Sequence, residues 1–380
     1  MTRRRFIYRL LQGFKLAAVM GGGVACARSV VSSGSLDTGG EQPFIPLNGK
    51  SLASIARSKQ HHGGKRFINP FSSVPKGNMI RVLKWKLFAE NHFTAHYHAE
   101  PVTPVTIDWD DWSTLSGLSV TLIKHATIYI RDRGFKILID PVFDDMFWGI
   151  KDFSPLTFPV SRIPDPDLIL ITHGHYDHLN AETLSRFPRS TRIVSPLGYN
   201  DVFDALGFRQ RTQLDWFDSV TIDGVEVTLL PCNHWTMRNP IEGPNTSLWG
   251  SYLVRTRSGA NLYLSGDTGY FDGFGQIGDM VDIDLAVFNV GAYEPRWFMA
   301  SSHANPKETA RAFQELKARN LMIAHWGTYR LGDEPVHFPP IDMARSMNEI
   351  GLGHRLIRVD HGETLNYDGP GRHRIIPQPS

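Results

Sequence analysis

The chain has 380 residues, 41% of them apolar, and a formal net charge of +2 at pH 7. This length allows one large domain or two of ordinary size, and the near balance of charge excludes a broad nucleic-acid-binding face. The two cysteines, Cys26 and Cys232, are too few for a disulfide framework or a cysteine-based zinc finger.

The first 27 residues are typical of a twin-arginine export signal. Arginines at 3–5 precede Phe6, residues 16–25 are weakly apolar and rich in glycine, and alanines flank Cys26 as in a cleavage site. The apolar stretch is too short to predict a membrane span. We therefore expect export by the twin-arginine route, to the periplasm or to a membrane-associated place in the cell envelope. Two alternatives stay open: a basic leader on a cytoplasmic protein, and a lipidated Cys26.

Residues 28–83 are rich in serine, glycine, proline and lysine. That composition predicts a linker and a loosely packed N-terminal arm. Residues 82–88 alternate apolar and basic side chains, which favours an edge strand or a short helix over a membrane-facing element. We place one catalytic domain at 84–368 and a C-terminal tail at 369–380.

The domain is predicted to begin with a hairpin. Residues 119–130 and 135–140 are apolar and β-branched, and a turn at 131–134 joins them. Further strands are predicted at residues 165–172, 191–195, 225–230, 251–255, 261–265, 285–289, 321–324 and 355–359.

Helical patterns lie between some of these strands. The clearest covers residues 305–318, where Asn305 can cap the helix and an inward stripe includes Phe313 and Leu316. A second helix is predicted to begin at Asp177 and to end at residue 186. Strands first, and then strands alternating with helices, predict an α/β sandwich with helices outside two sheets.

The predicted strand at 165–172 is followed by four side chains of the kind that bind metals: His173, His175, Asp177 and His178. In an extended chain the first three would share one side. A helix beginning near Tyr176 would instead turn Asp177 and His178 towards a second point, as a dinuclear metal site requires. Imidazole and carboxylate ligands without a thiolate suit zinc first, and then manganese or iron.

Three further candidate ligands follow other predicted strands. His234 follows 225–230, Asp267 follows 261–265, and His325 follows 321–324. A strand-end histidine is by itself weak evidence, because such residues are often structural. Side chains at the same end of several strands converge on one crevice, however, and together with the first cluster they make seven ligands.

The sequence Thr172-His-Gly-His-Tyr-Asp-His178, with a downstream His, Asp and His, resembles the metallo-β-lactamase superfamily. The run Gly291-Ala-Tyr-Glu-Pro-Arg-Trp-Phe-Met299 and the segments at 266–270, 303–308 and 324–328 are similar to the N-acylphosphatidylethanolamine-hydrolysing phospholipase D family. The match covers roughly residues 84–365. The resemblance implies an αββα sandwich of two mixed β-sheets with helices on the outer faces. One departure is Lys124, where the family pattern has glycine before His125.

The resemblance also implies a role for individual residues. His173, His175 and His234 should hold one Zn2+ ion, Asp177, His178 and His325 a second, and Asp267 should bridge the two. Mn2+ or iron stays an alternative to zinc. The catalytic residues implied are Asp177, Asp267 and His303, and the substrate-binding residues implied are His125, Tyr293 and Trp297. Glu294 and Arg296 are expected to lock their loop by pairing.

These observations predict a zinc-dependent phosphodiesterase of phospholipase D type. The expected partner is a phospholipid or a membrane surface, contacted by the aromatic segments at 143–148 and 297–299. No nucleic-acid partner is expected, and a homodimer is left open. Two other functions stay open: a hydrolase of a soluble lactone or phosphate ester, and a non-catalytic envelope protein with a structural metal site.

Overall fold

The computed structural model describes residues 44–74, 82, 85, 87–144, 146, 150–367 and 373–379. The predicted export signal and the aromatic residues Phe147 and Trp148 lie outside the described residues. The chain forms two compact units. The smaller comprises residues 1–41, 78–90 and 147–149, and the larger, described below, comprises 42–77, 91–146 and 150–380.

The first sheet has eight strands in the order β14-β13-β1-β2-β3-β4-β5-β6. These strands are β1 (Leu118–Lys124), β2 (Thr127–Asp132), β3 (Phe135–Ile139), β4 (Leu168–Leu170), β5 (Arg192–Pro196), β6 (Arg211–Leu214), β13 (Thr364–Tyr367) and β14 (His373–Ile376). Strands β3 to β6 are parallel, and the remaining pairs are antiparallel. The sheet is therefore mixed.

The second sheet has six strands in the order β12-β11-β10-β9-β8-β7. These strands are β7 (Ser219–Ile222), β8 (Val225–Leu230), β9 (Ser251–Arg255), β10 (Asn261–Leu264), β11 (Leu285–Asn289) and β12 (Asn320–Ala324). Strands β10 to β12 are parallel, and the others pair antiparallel. This sheet is also mixed, as the resemblance implied.

Eight α-helices accompany the two sheets in the described part of the chain. They are α1 (Leu52–Arg57), α2 (Trp109–Thr114), α3 (Ala181–Leu184), α4 (Asn200–Leu206), α5 (Phe274–Gly278), α6 (Arg296–Met299), α7 (Pro306–Leu316) and α8 (Phe338–Glu349). Short 3-10 helices lie at Thr94–Ala99, Val160–Arg162 and Gly353–Arg355. The architecture is the predicted α/β sandwich of two mixed sheets.

Two apolar clusters form the core. The larger contains side chains from both sheets, such as Leu122 of β1 and Val227 of β8, together with the buried faces of α5, α7 and α8. The smaller packs Ile123 and Tyr129 of the first sheet against residues of α2, α3 and α4. Alternate residues of β1 therefore enter different clusters, because successive side chains of a strand point to opposite faces.

The N-terminal arm is packed much more tightly than its composition predicts. Leu52 and Ile55 of α1 and Phe71 are buried in the larger core cluster. Ser51 caps α1 by accepting a hydrogen bond from the Ser54 backbone N–H. The prediction of a loose arm was wrong for residues 44–74, because most of the apolar residues among the polar ones pack into the core, while Ile45 and Ile68 stay exposed.

Other boundaries differ from the sequence prediction for local reasons. The span 119–130 forms two strands, since the backbone turns at His125, whose φ is +48°. Residues 355–359 are not a strand, because only Leu356 forms a β-bridge, with Leu321. Residues 373–376 of the predicted tail pair with β13 as β14.

The bounds of the two predicted helices also differ from the bounds in the structure. Helix α7 is Pro306–Leu316, and Asn305 and Glu308 form a reciprocal capping box at its start. The predicted helix from Asp177 is instead a turn followed by α3, which begins anew because Asn180 accepts from the Thr183 backbone N–H. Within the described ranges, no helix has both the length and the apolar character needed to cross a bilayer.

Candidate metal centre

The candidate ligands come from the ends of four strands in the two sheets. The chain leaves β4 with His173 and His175 and then turns at residues 176–178. His234 follows β8, Asp267 follows β10, and His325 directly follows β12. Gly266 has a φ of +54°, and a Cβ atom there would lie 2.9 Å from Cβ of Thr172. A side chain at this position would therefore push the Asp267 segment away from the His173 segment.

The carboxylate of Asp267 lies at the centre of the cluster. Its Oδ2 atom is within 4 Å of five imidazole nitrogens: Nε2 of His178 at 3.2 Å, of His325 at 3.3 Å, of His173 at 3.9 Å and of His234 at 3.9 Å, and Nδ1 of His303 at 3.8 Å. Five segments that are distant in sequence thus meet at one oxygen atom.

Two groups of potential ligands lie on either side of Asp267. In the first, Nδ1 of His175 is 2.9 Å from Nε2 of His173 and 3.3 Å from Nε2 of His234. In the second, Oδ2 of Asp177 is 3.5 Å from Nε2 of His178 and 3.4 Å from Nε2 of His325. The structure brings together all seven ligands that the sequence predicts.

The chemistry of the cluster fits divalent cations. Tetrahedral zinc with bonds of about 2.0–2.2 Å separates neighbouring ligand atoms by about 3.3 Å, and the nitrogen–oxygen distances of the second group match this spacing. The buried Nε2 atoms of His178 and His325 make no hydrogen bond. Buried polar atoms are normally paired, so these two nitrogens are well placed to bind a metal.

A different cluster of His61, His62 and Asp215 lacks this spacing. Nε2 of His61 is 2.6 Å from Oδ1 of Asp215, and Nε2 of His62 is 2.8 Å from Oδ2. The Lys59 ammonium donates to the same Oδ2 at 2.5 Å. These are hydrogen-bond distances, so the carboxylate is already satisfied by three donors.

Several of the ligands are oriented by hydrogen bonds made by the atoms that face away from the cluster. Nδ1 of His178 donates to Oδ2 of Asp140 at 2.7 Å, and Nδ1 of His234 donates to the Ser302 carbonyl at 3.0 Å. Both bonds direct Nε2 at the centre, where a bound metal would take this atom in its deprotonated form. Without a metal, the Asp267, Asp177 and Asp140 carboxylates outweigh burial and raise the pKa of His178 well above its usual value. The amide of Asn289 donates to Oδ1 of Asp267 at 2.9 Å, which leaves Oδ2 turned towards the histidines.

The sequence analysis missed Asp140 and Asn289. A signal was present for both, since each is a polar residue at or directly after the end of an apolar parallel strand, β3 for Asp140 and β11 for Asn289. Those strands neighbour β4 and β10, which lead into predicted ligands. Neighbouring parallel strands end at the same sheet edge, so polar residues there belong to the same site.

The electrostatics of the cluster follow from burial and mutual contact. Burial lowers the pKa of His175 to about 4 and holds the pKa of His173 and His234 well below the usual value. Burial also acts against charge on His325, but the Asp267 carboxylate prevails and raises its pKa to about 9. The first group is therefore neutral imidazole, which is the form that binds metals.

Comparison with known proteins identifies the family. A family model described as "Beta-lactamase superfamily domain" matches residues 136–326. N-acyl-phosphatidylethanolamine-hydrolyzing phospholipase D 1 of Caenorhabditis elegans is 32% identical over 335 residues, which are 80% of this chain and 94% of that protein. The chain belongs to this phospholipase D family of the beta-lactamase superfamily. It is therefore a member of a superfamily of metal-dependent hydrolases.

A second relative and a solved structure are also similar to this chain. The mitochondrial N-acyl-phosphatidylethanolamine-hydrolyzing phospholipase D of Saccharomyces cerevisiae is 31% identical over 227 residues, which are 56% of this chain and 48% of that protein. The crystal structure of a possible metal-dependent hydrolase from Veillonella parvula has a TM-score of 0.54 at 18% identity, and the match covers 67% of this chain and all of that one. The latter similarity supports the fold alone.

The remaining residues implied by the phospholipase D family pattern lie in different places. His303 lies at the cluster, with its side chain 15% exposed. The indole of Trp297 on α6 is partly exposed. Tyr293 is buried, and its hydroxyl donates to Asp342 of α8 at 3.0 Å. The hydroxyl of Tyr293 thus fixes its segment to α8, and the substrate contact that the resemblance implies stays a prediction.

His125, the third residue implied to bind substrate, lies at the second ligand group. Its ring is buried, and Nε2 donates to Oδ2 of Asp177 at 3.1 Å. Burial lowers its pKa to about 3, so the ring is neutral. The structure places His125 beside the second ligand group, where it orients Asp177, and its contact with a substrate stays a prediction. Lys124 beside it ends β1, and its ammonium pairs with Asp152 at 2.5 Å.

The loop of Glu294 and Arg296 is locked by more contacts than the predicted pair. Glu294 accepts from the Arg296 backbone N–H at 3.0 Å. The Arg296 guanidinium instead pairs with Glu308 of α7 at 2.6 Å and donates to the His303 carbonyl at 2.9 Å. Arg296 therefore fixes the segment that carries His303 to the start of α7.

Proposed function

We propose that the protein is a dinuclear zinc hydrolase that cleaves the phosphodiester of N-acylphosphatidylethanolamine or a related phospholipid. Water would add to phosphorus and the bond to the ethanolamine oxygen would break, which yields phosphatidic acid and an N-acylethanolamine. The single observation that carries the proposal is the approach of five imidazole nitrogens to Oδ2 of Asp267. The 32% identity to the C. elegans enzyme supports the lipid substrate.

The two groups of residues would hold one cation each. His173, His175 and His234 would bind the first, Asp177, His178 and His325 the second, and Asp267 would contact both. Mn2+ or iron would suit the same ligands. Two divalent cations would lower the pKa of a water molecule, so that it can act as the nucleophile, and would offset the negative charge that develops on the phosphoryl group.

His303 would hold a phosphoryl oxygen. Burial lowers its pKa to about 3, so the ring is neutral at pH 7 and lacks the extra proton of an imidazolium general acid. A neutral imidazole still offers one N–H as a hydrogen-bond donor. Its position beside Oδ2 of Asp267 and the Arg296 contact to its carbonyl would keep that donor at the reacting group.

The lipid would be reached at a membrane surface in the cell envelope, after twin-arginine export. Trp297 is 38% exposed in the segment that carries His303, and exposed indole rings favour the interface between water and lipid. A Trp297→Ser variant should therefore lose activity on vesicles and keep its activity on soluble bis(p-nitrophenyl) phosphate. Met280→Ser, which changes another exposed apolar residue, is the matched control and should alter neither.

The activity test uses the full chain supplied with Zn2+ and vesicles that contain N-acylphosphatidylethanolamine. We expect phosphatidic acid and N-acylethanolamine in equal amounts by mass spectrometry, loss of both with a chelator, and their return with added Zn2+. A lactone is assayed in parallel. Hydrolysis of the lactone without cleavage of either phosphodiester would favour the soluble-substrate function, and a metal-loaded protein inert on all three would favour a non-catalytic role.

A further inference from the structure

Residues 59–71, which we call the N-terminal strap, contact the chain segments that follow β6 and β8. The strap lies outside the 136–326 region that the superfamily model matches. It ends at Phe71, which is fully buried in the core. Three sets of contacts attach it to the domain, and the last of them reaches a predicted metal ligand.

The first attachment is the Asp215 carboxylate between β6 and β7. Lys59, His61 and His62 all donate to it. The His61 ring is fully buried and stacks on Trp216, with ring centroids 4.2 Å apart. Three donors on one buried carboxylate fix the start of the strap, because charge-assisted hydrogen bonds are stronger than neutral ones.

The second attachment is the loop that follows His234. The Phe67 backbone N–H donates to the Asn245 carbonyl at 2.7 Å, and the Arg66 guanidinium donates to the Pro244 carbonyl at 2.5 Å. Asn245 in turn donates from its backbone to the Thr236 carbonyl at 2.7 Å. The middle of the strap is therefore joined to both ends of the 236–245 loop.

The third attachment is Asn69, and it reaches the metal centre. Its amide Nδ2 lies 2.9 Å from the His234 carbonyl and 2.9 Å from Oδ1 of Asn233, and it donates to both. Its Oδ1 accepts from the Phe71 backbone N–H. One side chain thus connects the strap to the backbone of a ligand.

Asn233 extends this connection to the Asp267 segment. It is fully buried, its Nδ2 donates to the Tyr270 carbonyl at 3.0 Å, and its backbone N–H donates to the Thr268 hydroxyl at 3.0 Å. Oδ1 of Asn233 accepts from Asn69. Without the Asn69 donor, the side-chain amide of Asn233 would keep its hydrogen bond to the Tyr270 carbonyl and lose the one that fixes its oxygen.

We propose that Asn69 is a positioning residue of the metal centre: it holds the His234 and Asp267 segments at the separation that the first ligand group needs. The inference rests on the proposed metal centre and is independent of the substrate. Hydrogen bonds that orient metal ligands from behind typically change metal affinity by about 10–100-fold when removed. We expect the lower end of that range, because Asn69 contacts the ligand's backbone rather than its ring.

The test is a Co2+ titration of the metal-free full chain, followed by absorption spectroscopy and competition with a chelator. Asn69→Ala should weaken the binding of one of two Co2+ equivalents by about 10-fold and change the spectrum of that equivalent. Arg66→Ala is the matched control, since it removes strap contacts that do not reach His234, and it should bind both equivalents as the wild type does. Asn69→Leu, which keeps the shape of the side chain, replaces Asn69→Ala if the latter does not fold.

Two results separate this inference from the proposed function. Unchanged binding of both equivalents by the Asn69 variants, with only a lower melting temperature, would overturn the positioning role and leave the hydrolase proposal intact. If the Asn69 variants bind one Co2+ equivalent more weakly and the metal-loaded wild type cleaves no phosphodiester, the positioning role would be supported and the proposed substrate would not. A wild-type chain that binds no Co2+ would overturn both.

Discussion

Oδ2 of Asp140 accepts a hydrogen bond from Nδ1 of His178 across 2.7 Å, at the edge where the parallel strands β3 and β4 end. The same carboxylate accepts from the backbone N–H and the hydroxyl of Thr172. Asp140 is fully buried, and all three of these partners are donors. It therefore fixes both the tautomer of His178 and the start of the ligand segment.

Asp140→Asn should lower metal affinity by about 10–100-fold. An amide has one acceptor oxygen, so its NH2 group would face a donor of His178 or Thr172 and the ring would lose its fixed orientation. Competition with a chromophoric chelator measures the change. Asp279→Asn, at an exposed carboxylate paired with Lys317, is the control and should match the wild type. Equal affinities for Asp140→Asn and the wild type would contradict the orienting role.

Asp267→Ala should remove activity together with at least one equivalent of metal. The reason is that both ligand groups would lose the carboxylate oxygen that lies within 4 Å of two histidines of each group. Metal analysis and phosphodiesterase assay of the same preparation measure the two losses. A fully metallated and active variant would exclude Asp267 as the bridging ligand.

Acid should destabilise the metal-free protein partly through His361. Burial, reinforced by the Lys124 cation, lowers the pKa of this histidine to about 4, while its Nε2 donates to the Trp326 carbonyl at 2.9 Å. Between pH 6.5 and 4 the unfolded chain therefore binds more protons at this histidine than the folded chain does. The free energy of unfolding falls as the pH falls through that window. At about 1.4 kcal/mol per pKa unit, the full effect is on the order of 3 kcal/mol.

The measurement compares denaturant unfolding of the metal-free wild type and His361→Gln from pH 7 to 4. Other titrating groups contribute to both proteins, so their effects cancel in the difference. The free-energy difference between the two proteins should shrink or reverse in favour of the variant as the pH falls. Parallel pH profiles would show that His361 does not titrate with this shift.

The start of α7 gives a prediction about stability. Asn305 accepts from the Glu308 backbone N–H, and Glu308 accepts from that of Asn305. Replacing a capping side chain of this type by alanine typically costs about 1 kcal/mol. Asn305→Ala should lower the free energy of unfolding by about this amount, and Lys307→Ala, at an exposed neighbour, by less than about 0.5 kcal/mol. Equal losses would exclude the cap as the cause.

The metal ligands could be located from the sequence because each follows an apolar strand, and strand ends meet at one sheet edge. The fold was predictable for the same reason: strong apolar runs such as β8 and β11 had the predicted bounds. Asp140 and Asn289 were missed although each stands at the end of a parallel strand beside one that leads into a predicted ligand. Asn69 was not found, because its partners are distant in sequence and a single polar residue outside the strands carries no periodic signal.

The N-terminal arm shows a different limit of sequence analysis. Its polar composition predicted loose packing, yet His61 and Phe71 are fully buried. Burial of His61 depends on the Asp215 carboxylate, which is supplied from 154 residues away. Likewise, Tyr293 lies in a run similar to the phospholipase D family, but the direction of its hydroxyl towards Asp342 depends on the placement of α8.

The most direct test is the metal content of the purified full chain after dialysis against Zn2+ and then against metal-free buffer, measured per polypeptide. Two ligand groups that share Asp267 predict two tightly held zinc ions per chain, and one or none in Asp267→Ala. A chain that retains no zinc, and none after the same treatment with Mn2+ or Fe2+, would contradict the dinuclear centre and with it the proposed hydrolysis.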